Sequence, residues 1–372
     1  MKPFNLLIKP SGSDCNLDCG YCFYKDRPRE VGTGRQRMSD EVLETLVRDY
    51  LKLGFAESQF AWQGGEPALM GLDFYRRAVE QQKKYLQPGK TVTNAFQTNA
   101  VLLDDQWYRF FAENNFLVGI SIDGPQEMHD KYRLDHADGG TYQAVMAAIE
   151  NCKKHKVQFN TLTLLNKINV EHPDELFAFF EENRIKYLQF IPCVETNPKT
   201  GEIADFSITP EQYGRFLCRM FDLWYPRATQ ISIRNFDSFA WYCAIGRGAV
   251  CTFDRKCAGY IVIEHNGDAF CCDFFVTPQW KLGSIMKTPI EKLADSELKR
   301  EFVDSKQRIA NKCLVCRYLD ACRGGCLKDR LPLGSITGKE SYFCQSYKKF
   351  FDHAMPRLQL LGAKLRERNQ ES

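Results

Sequence analysis

The stretch Cys15-Asn16-Leu17-Asp18-Cys19-Gly20-Tyr21-Cys22 decides how the rest of the chain is read. It follows the first apolar run, Phe4 to Ile8, and sets three thiols at CxxxCxxC spacing on one short loop. Each can supply one thiolate, whereas an iron–sulfur cubane usually takes four. Three ligands leave one iron of a 4Fe-4S cluster without a protein partner, and that open iron can bind a substrate or cofactor. A zinc knuckle or a set of incidental thiols is the alternative. Zinc favours paired CxxC units and a fourth ligand, and no fourth ligand stands in the stretch itself. An aromatic residue, Tyr21, directly precedes the last cysteine.

The chain has 372 residues, enough for one large domain and a smaller one. Its formal net charge is +3, so no strong field for nucleic acid or an anionic membrane is expected. No segment approaches the roughly 20 apolar residues of a membrane span. The start, MKPFNLLIKP, has too short an apolar core for a signal peptide, and no small-residue cleavage site follows. A cytoplasmic protein is expected. Sixteen cysteines in that compartment call for a reason, because structural disulfides are rare there. Three lie between positions 15 and 22 and nine between 251 and 344, which points to metal or iron–sulfur sites. Cys152, Cys218 and Cys243 read as buried small hydrophobes, and Cys193 ends a strand. The six histidines, at 129, 136, 155, 172, 265 and 353, form no ligand spacing and read as surface or loop residues.

Working outward from the cysteine loop, short β-rich runs alternate with longer amphipathic ones from residue 4 to about 225. Strands are predicted at Asn5–Lys9, Gln59–Gln63, Thr93–Thr98, Leu117–Ile122, Gln158–Leu164 and Tyr187–Pro192. Helices are predicted at Asp40–Leu53, Asp73–Tyr85, Asp104–Asn114, Tyr142–His155 and Pro173–Asn183. Ser39 and Thr141 suit N-caps, and Pro173 suits a first turn. Leu43, Leu46, Val47, Tyr50 and Leu51 recur at helical spacing and mark a buried face. Six strand-then-helix units argue for a parallel α/β sheet with right-handed crossovers. Six fall short of the eight of a closed barrel, so a partial (β/α)6 barrel is expected. The cysteine loop, Gln63-Gly64-Gly65-Glu66-Pro67, Gln97-Thr98-Asn99 and Ser121-Ile122-Asp123-Gly124 follow or end the first four strands in turn, at the barrel end where such folds carry their chemistry.

Past about residue 230 the alternation stops and cysteines multiply. A hairpin, Tyr260–Glu264 with Ala269–Phe274, is predicted around Asn266-Gly267. The tail from Tyr347 to Arg368 has an amphipathic pattern and predicts a closing helix. The expected division is residues 1–230 as partial barrel, 231–346 as a loop-rich cluster domain and 347–372 as the helix. The thiols of the second region are Cys251, Cys257, Cys271, Cys272, Cys313, Cys316, Cys322, Cys326 and Cys344. Two complete clusters need eight thiolates, and nine are present. Cys271 and Cys272 are adjacent and would point to opposite faces of a strand, so one of the two is expected to ligate. Asp273 beside them is either a general base or a structural aspartate closing the hairpin.

CxxxCxxC after the first strand, with Gly-Gly-Glu-Pro after the second, resembles the radical S-adenosylmethionine (radical SAM) superfamily. The resemblance implies that Cys15, Cys19 and Cys22 hold a 4Fe-4S cluster whose open iron takes SAM. It further places Tyr21, Gly65, Ser121, Arg133 and the backbone of Val194 around SAM. Cys313-x2-Cys316 followed by Cys322-x3-Cys326 resembles the SPASM extension, whose members bind two auxiliary 4Fe-4S clusters. By that resemblance one takes Cys251, Cys257, Cys272 and Cys326, and the other Cys313, Cys316, Cys322 and Cys344. Cys272 is favoured over Cys271 because the ligand in that family immediately precedes an aspartate.

Along essentially its whole length the chain resembles the anaerobic sulfatase-maturating enzymes. Matching pieces include Lys9-Pro10, Cys22-Phe23-Tyr24, Leu188-Gln189-Phe190-Ile191, Cys272-Asp273-Phe274-Phe275 and Gly324-Gly325-Cys326. The resemblance implies three 4Fe-4S clusters, SAM cleavage to a 5′-deoxyadenosyl radical, and removal of a Cβ hydrogen from a Cys or Ser of an unfolded sulfatase. Asp273 would take the thiol or hydroxyl proton, and an auxiliary cluster the second electron, giving Cα-formylglycine. A reduced flavodoxin- or ferredoxin-type donor and a monomeric enzyme are expected. The alternative is a SPASM peptide maturase that crosslinks a ribosomal peptide. Such enzymes often carry about 80 residues of peptide-recognition domain before the cluster motif, and only fourteen residues precede Cys15. A non-enzymatic electron-transfer protein would need a fourth cluster ligand near Cys22.

Overall fold

The computed structural model describes residues 2–24, 35–197 and 200–371; the outer limits of the expected division, residues 1 and 372, lie outside them. All six predicted strands are present, each followed by helix: β1 Asn5–Lys9, β2 Glu57–Trp62, β3 Thr91–Thr98, β4 Leu117–Ser121, β5 Gln158–Leu165 and β6 Tyr187–Pro192. Boundaries move by no more than two residues from the periodicity reading. Four further strands follow: β7 Ser232–Ile233, β8 Tyr260–Glu264, β9 Asp268–Phe270 and β10 Lys281–Ser284.

The chain packs as two compact units that interleave along the sequence. The first comprises Met1–Ile122, His129–Asn160 and Ala258–Phe302. In it β1, β2, β3 and β4 pair in parallel in chain order. On the other side of β1 lies β8, also parallel, with Lys9 opposite Glu264 in the register. The antiparallel strands β9 and β10 extend that edge. Leu6, Ile8, Phe60, Trp62, Phe96, Val118 and Ile120 are completely buried, as parallel strands covered on both faces require. Helix Asp40–Leu51 starts at Ser39, whose side chain accepts from Val42 N, and it buries the predicted Leu43–Leu51 stripe.

Thr141 is not the side-chain cap that its position suggests. Its hydroxyl instead donates to Arg133 O at 2.8 Å. His129 corrects the surface reading of the histidines: it is fully buried, with Nε2 3.0 Å from Thr141 Oγ1. Since the threonine hydrogen goes to Arg133 O, the histidine is the donor in that contact. The β8–β9 hairpin forms as expected, but its second strand stops at Phe270. Cys271 N is taken by Trp280 O at 3.1 Å, and Asp273–Phe275 turns away as a 3-10 segment.

The second unit comprises Asp123–Met128, Thr161–Cys257 and Val303–Ser372. In it β5, β6 and β7 pair in parallel. The alternation thus runs one step further than the sequence suggests, with β7 leading into helix Arg234–Ile245. Two residues are too few to show a strand pattern. Helix Pro210–Trp224 opens with a capping box between Thr209 and Gln212. The closing helix runs from Cys344 to Glu371 and packs on both of those helices. Phe350 stacks on Phe236 with ring centroids 5.3 Å apart. Cys152 is buried as read, whereas Cys218 and Cys243 are partly exposed; Cys193, just past β6, is buried.

Candidate active site

Parallel pairing brings the ends of β1 to β4 to one side of the first unit, and the motifs follow those ends. The cysteine loop is held at several points. Asp18 N and Gly20 N donate to Leu134 O and Tyr132 O, each at 2.8 Å. Tyr21 lies against Tyr132 with ring centroids 5.6 Å apart, and Arg133 Cζ is 5.5 Å from the Tyr21 ring. Tyr21 and Arg133, two of the residues expected around SAM, are therefore neighbours. Ser121 ends β4, and its hydroxyl accepts from Gln97 Nε2 at 3.1 Å. Val194 follows β6 in the second unit and is buried.

Gly-Gly-Glu-Pro lies directly on the cysteine loop. Gly65 N donates to Gly12 O at 2.8 Å, and Glu66 N donates to Asp14 O at 2.7 Å. A Cβ on Gly65 would sit 2.0 Å from Asp14 O, so this close approach itself requires glycine. Glu66 is fully buried and accepts from Ala68 N, Thr98 Oγ1 and Asn99 N, each at 2.8 Å. Asn99 Nδ2 in turn donates to Asn16 Oδ1 at 2.8 Å and reaches Cys15 Sγ at 3.6 Å. Glu66 and Asn99 thus tie β2 and β3 to the first cysteine.

The donor chemistry fits a cluster. Burial pushes the Cys15 thiol up to about 12, and the charges of Glu66, Cys19 and Cys22 add to the shift. Burial does the same to Cys152, so what fits iron is the set of three soft sulfur donors on one loop. In the second unit Cys313, Cys316, Cys322 and Cys344 line one pocket. Burial pushes the Cys322 thiol up to about 11, and the Cys344 and Cys313 charges raise it further. These four are the set expected for one auxiliary cluster. Of the other set, Cys251 is exposed, while Cys257, Cys272 and Cys326 are partly buried. Cys271 is 1% exposed, whereas Cys272 Sγ stands 3.1 Å from Tyr260 Oη. Lys299 Nζ donates to Cys271 O at 2.9 Å.

Asp273 is held on both carboxylate oxygens. Lys9 Nζ lies 2.6 Å from Oδ1. The Tyr24 hydroxyl reaches the two carboxylate oxygens at 3.0 and 3.2 Å, and Gln63 Nε2 donates to Oδ2 at 3.2 Å. Lys9 is 1% exposed and also pairs with Glu264 at 3.3 Å, its partner in the β1–β8 register. The sequence reading singled out Asp273 but no role for Lys9, Tyr24, Gln63, Glu66 or Glu264. A lysine closing an apolar strand was the visible signal for Lys9; its two carboxylates come from a strand and turn more than 250 residues away.

Residues 10–180 match the model of the radical SAM superfamily, and residues 251–317 match that of an iron–sulfur cluster-binding domain. With the geometry above, these define a radical SAM enzyme carrying a further iron–sulfur domain. The chain is 37% identical over 364 residues to a cysteine-type anaerobic sulfatase-maturating enzyme of Clostridium perfringens, covering 96% of this chain and 98% of that one. It is also 37% identical over 390 residues to a serine-type enzyme of Bacteroides thetaiotaomicron, covering 98% and 92%. The solved structure of native anSMEcpe with bound AdoMet and the Cp18Cys peptide superposes with a TM-score of 0.91 at 36% identity, covering 98% of this chain and 100% of that one. The chain belongs to the family of anaerobic sulfatase-maturating enzymes. Its cofactors are SAM and three 4Fe-4S clusters. Among the described residues no helix is long and apolar enough to cross a membrane.

Proposed function

We propose that this protein oxidises the Cβ of a Cys or Ser in an unfolded sulfatase to give Cα-formylglycine. The observation that carries the reading is the carboxylate of Asp273, buried directly after Cys272 and bonded to Lys9 at the end of the strand that leads into the Cys15–Cys22 loop. Cys15, Cys19 and Cys22 would hold one cluster, with Tyr21, Gly65, Ser121, Arg133 and Val194 around SAM. The eight auxiliary thiolates are Cys251, Cys257, Cys272, Cys326, Cys313, Cys316, Cys322 and Cys344. When bound, SAM and its cluster supply a radical able to remove one hydrogen atom from Cβ, and an auxiliary cluster supplies an acceptor for one electron.

The remaining work belongs to this chain. Asp273 accepts the proton of the substrate thiol or hydroxyl. Lys9, Tyr24 and Gln63 fix the direction of its free lone pairs, so that it meets the substrate in one orientation. Burial keeps bulk water from competing for the same carboxylate oxygens. We further propose a reduced flavodoxin or ferredoxin as donor, a cytoplasmic location and a monomeric enzyme.

The test is reconstitution without oxygen, iron counting, and assay of sulfatase-derived Cys and Ser peptides with SAM and reductant. About twelve irons and a trapped peptide aldehyde are expected. A crosslinked peptide without aldehyde would move the reading to the peptide maturases.

A further inference from the structure

Among the described residues of the second unit, Lys306 and Arg330 are buried cations with no carboxylate at ion-pair distance. Lys306 is 1% exposed and Arg330 is 0% exposed. Lys306 Nζ donates to Thr252 O at 2.8 Å, to Cys251 O at 3.4 Å and to Gly325 O. The Arg330 guanidinium donates to Lys306 O and Ile336 O at 3.0 Å, to Gly324 O at 3.2 Å, and at longer range to Ser305 O and Arg308 O. Among the described residues no carboxylate forms an ion pair with either. Asp329, next in sequence to Arg330, feels both charges, but burial pushes its carboxyl up to about 6. Its other neighbour, Lys328, is paired with Glu195 at 2.6 Å.

A buried charge held only by carbonyl dipoles is costly unless an anion stands nearby. The anions at hand are Asp329, whose carboxyl is mostly ionised at neutral pH, and, on the cluster reading, the ligand thiolates. Burial lowers the Arg330 guanidinium, while Cys257, Cys313, Cys326 and Cys322 act on it in the opposite sense. Lys306 meets the ligand loops directly. Its carbonyl partners belong to Cys251 itself and to Gly325, the residue before Cys326. Both cations are thus anchored to the backbone of the loops that carry the auxiliary thiols.

We propose that Lys306 and Arg330 are positioning residues for charge: they hold the auxiliary clusters at a raised reduction potential, so that these accept the electron released in substrate oxidation. The inference rests on the reading of those thiols as cluster ligands. A cluster held by thiolates carries net negative charge and gains one more on reduction, so adjacent fixed positive charge favours the reduced form. The substrate is oxidised by one electron as the cluster is reduced by one, and the proton goes to Asp273.

Lys306→Met and Arg330→Met test this in the anaerobically reconstituted enzyme, by redox titration followed with electron paramagnetic resonance and by iron counting. With about twelve irons retained, at least one auxiliary cluster should lose about tenfold in its reduced-to-oxidised ratio at fixed potential, or ~59 mV for one electron. Lys306→Arg and Arg330→Lys should keep the wild-type midpoint. Full iron with unshifted midpoints in both neutral variants overturns the proposal. If the neutral variants fail to load, loading by the two charge-keeping variants supports it, and failure of those as well makes shape the requirement and overturns it. A wild-type enzyme with about four irons overturns the ligand reading first, and the two failures are thereby told apart.

Discussion

Asp273 has Lys9, Tyr24 and Gln63 on its two oxygens, so its role can be separated from that of the SAM site. Asn at this position keeps the shape and removes the proposed base. Asp273→Asn should still form deoxyadenosine at a near-normal rate while aldehyde yield falls by about 10²-fold or more; full yield would remove the assigned role. Cys15→Ala should instead abolish deoxyadenosine altogether, read by chromatography of the same assay. His129 makes a different prediction, about stability. Burial and the nearby Arg133 charge depress its pKa from 6.5 to about 3. The unfolded ring binds a proton below pH 6.5 and the folded ring does not, so stability falls as pH drops from 6.5 towards 3, by up to ~1.4 kcal/mol per pH unit. His129→Gln keeps a donor toward Thr141 and cannot titrate. Its urea midpoint should therefore vary less with pH between 7 and 5 than that of the wild type, and an equal slope would reject the buried neutral histidine.

Among the elements, the closing helix shows how a pattern can be legible while its packing is not. The apolar spacing of Phe350, Phe351 and Leu358 announces the helix, and all three are fully buried. Nothing in that spacing marks Gly362. A Cβ there would lie 2.6 Å from Cys243 Cβ and 2.8 Å from the Cys243 carbonyl carbon, in helix Arg234–Ile245. Gly362→Ala should push the two helices apart and cost about 1–3 kcal/mol, seen as a lower unfolding midpoint. Because the same helix begins at Cys344, iron uptake by the second unit should fall with it; unchanged stability and iron would show that the contact relaxes freely. At the other end of the scale, Thr209→Ala removes one half of the capping box of helix Pro210–Trp224 and should cost only about 1 kcal/mol. The Thr141 cap failed because a cap must accept from helix N–H groups: the Thr141 oxygen is taken by His129 Nε2, and Asp130 Oδ1 accepts from the N–H groups of Thr141 and Tyr142 instead.

At the scale of the whole molecule, the return of the chain to β1 matters most. Residues 258–302 pack with the first unit, and β8 pairs in parallel with β1, setting Lys9 opposite Glu264 and beside Asp273. Lys9→Met would leave two buried carboxylates without that lysine, and loss of one partner of a buried pair costs ~3–5 kcal/mol. The variant should melt well below the wild type, with Lys9→Met/Glu264→Gln recovering part of the loss; no recovery would place the lysine's role in packing alone. The six strand–helix units, the cysteine-loop motif, the Gly-Gly-Glu-Pro motif and the auxiliary thiols were readable along the chain. Strand and helix periods, turn chemistry and ligand spacing are local, and local patterns survive in one dimension. The partners of Asp273, the burial of His129 and the burial of Lys306 and Arg330 among backbone carbonyls were decided only by the fold. Each depends on residues far apart in sequence coming together where water is excluded, and a charge's energy is set by that surrounding rather than by the letters beside it.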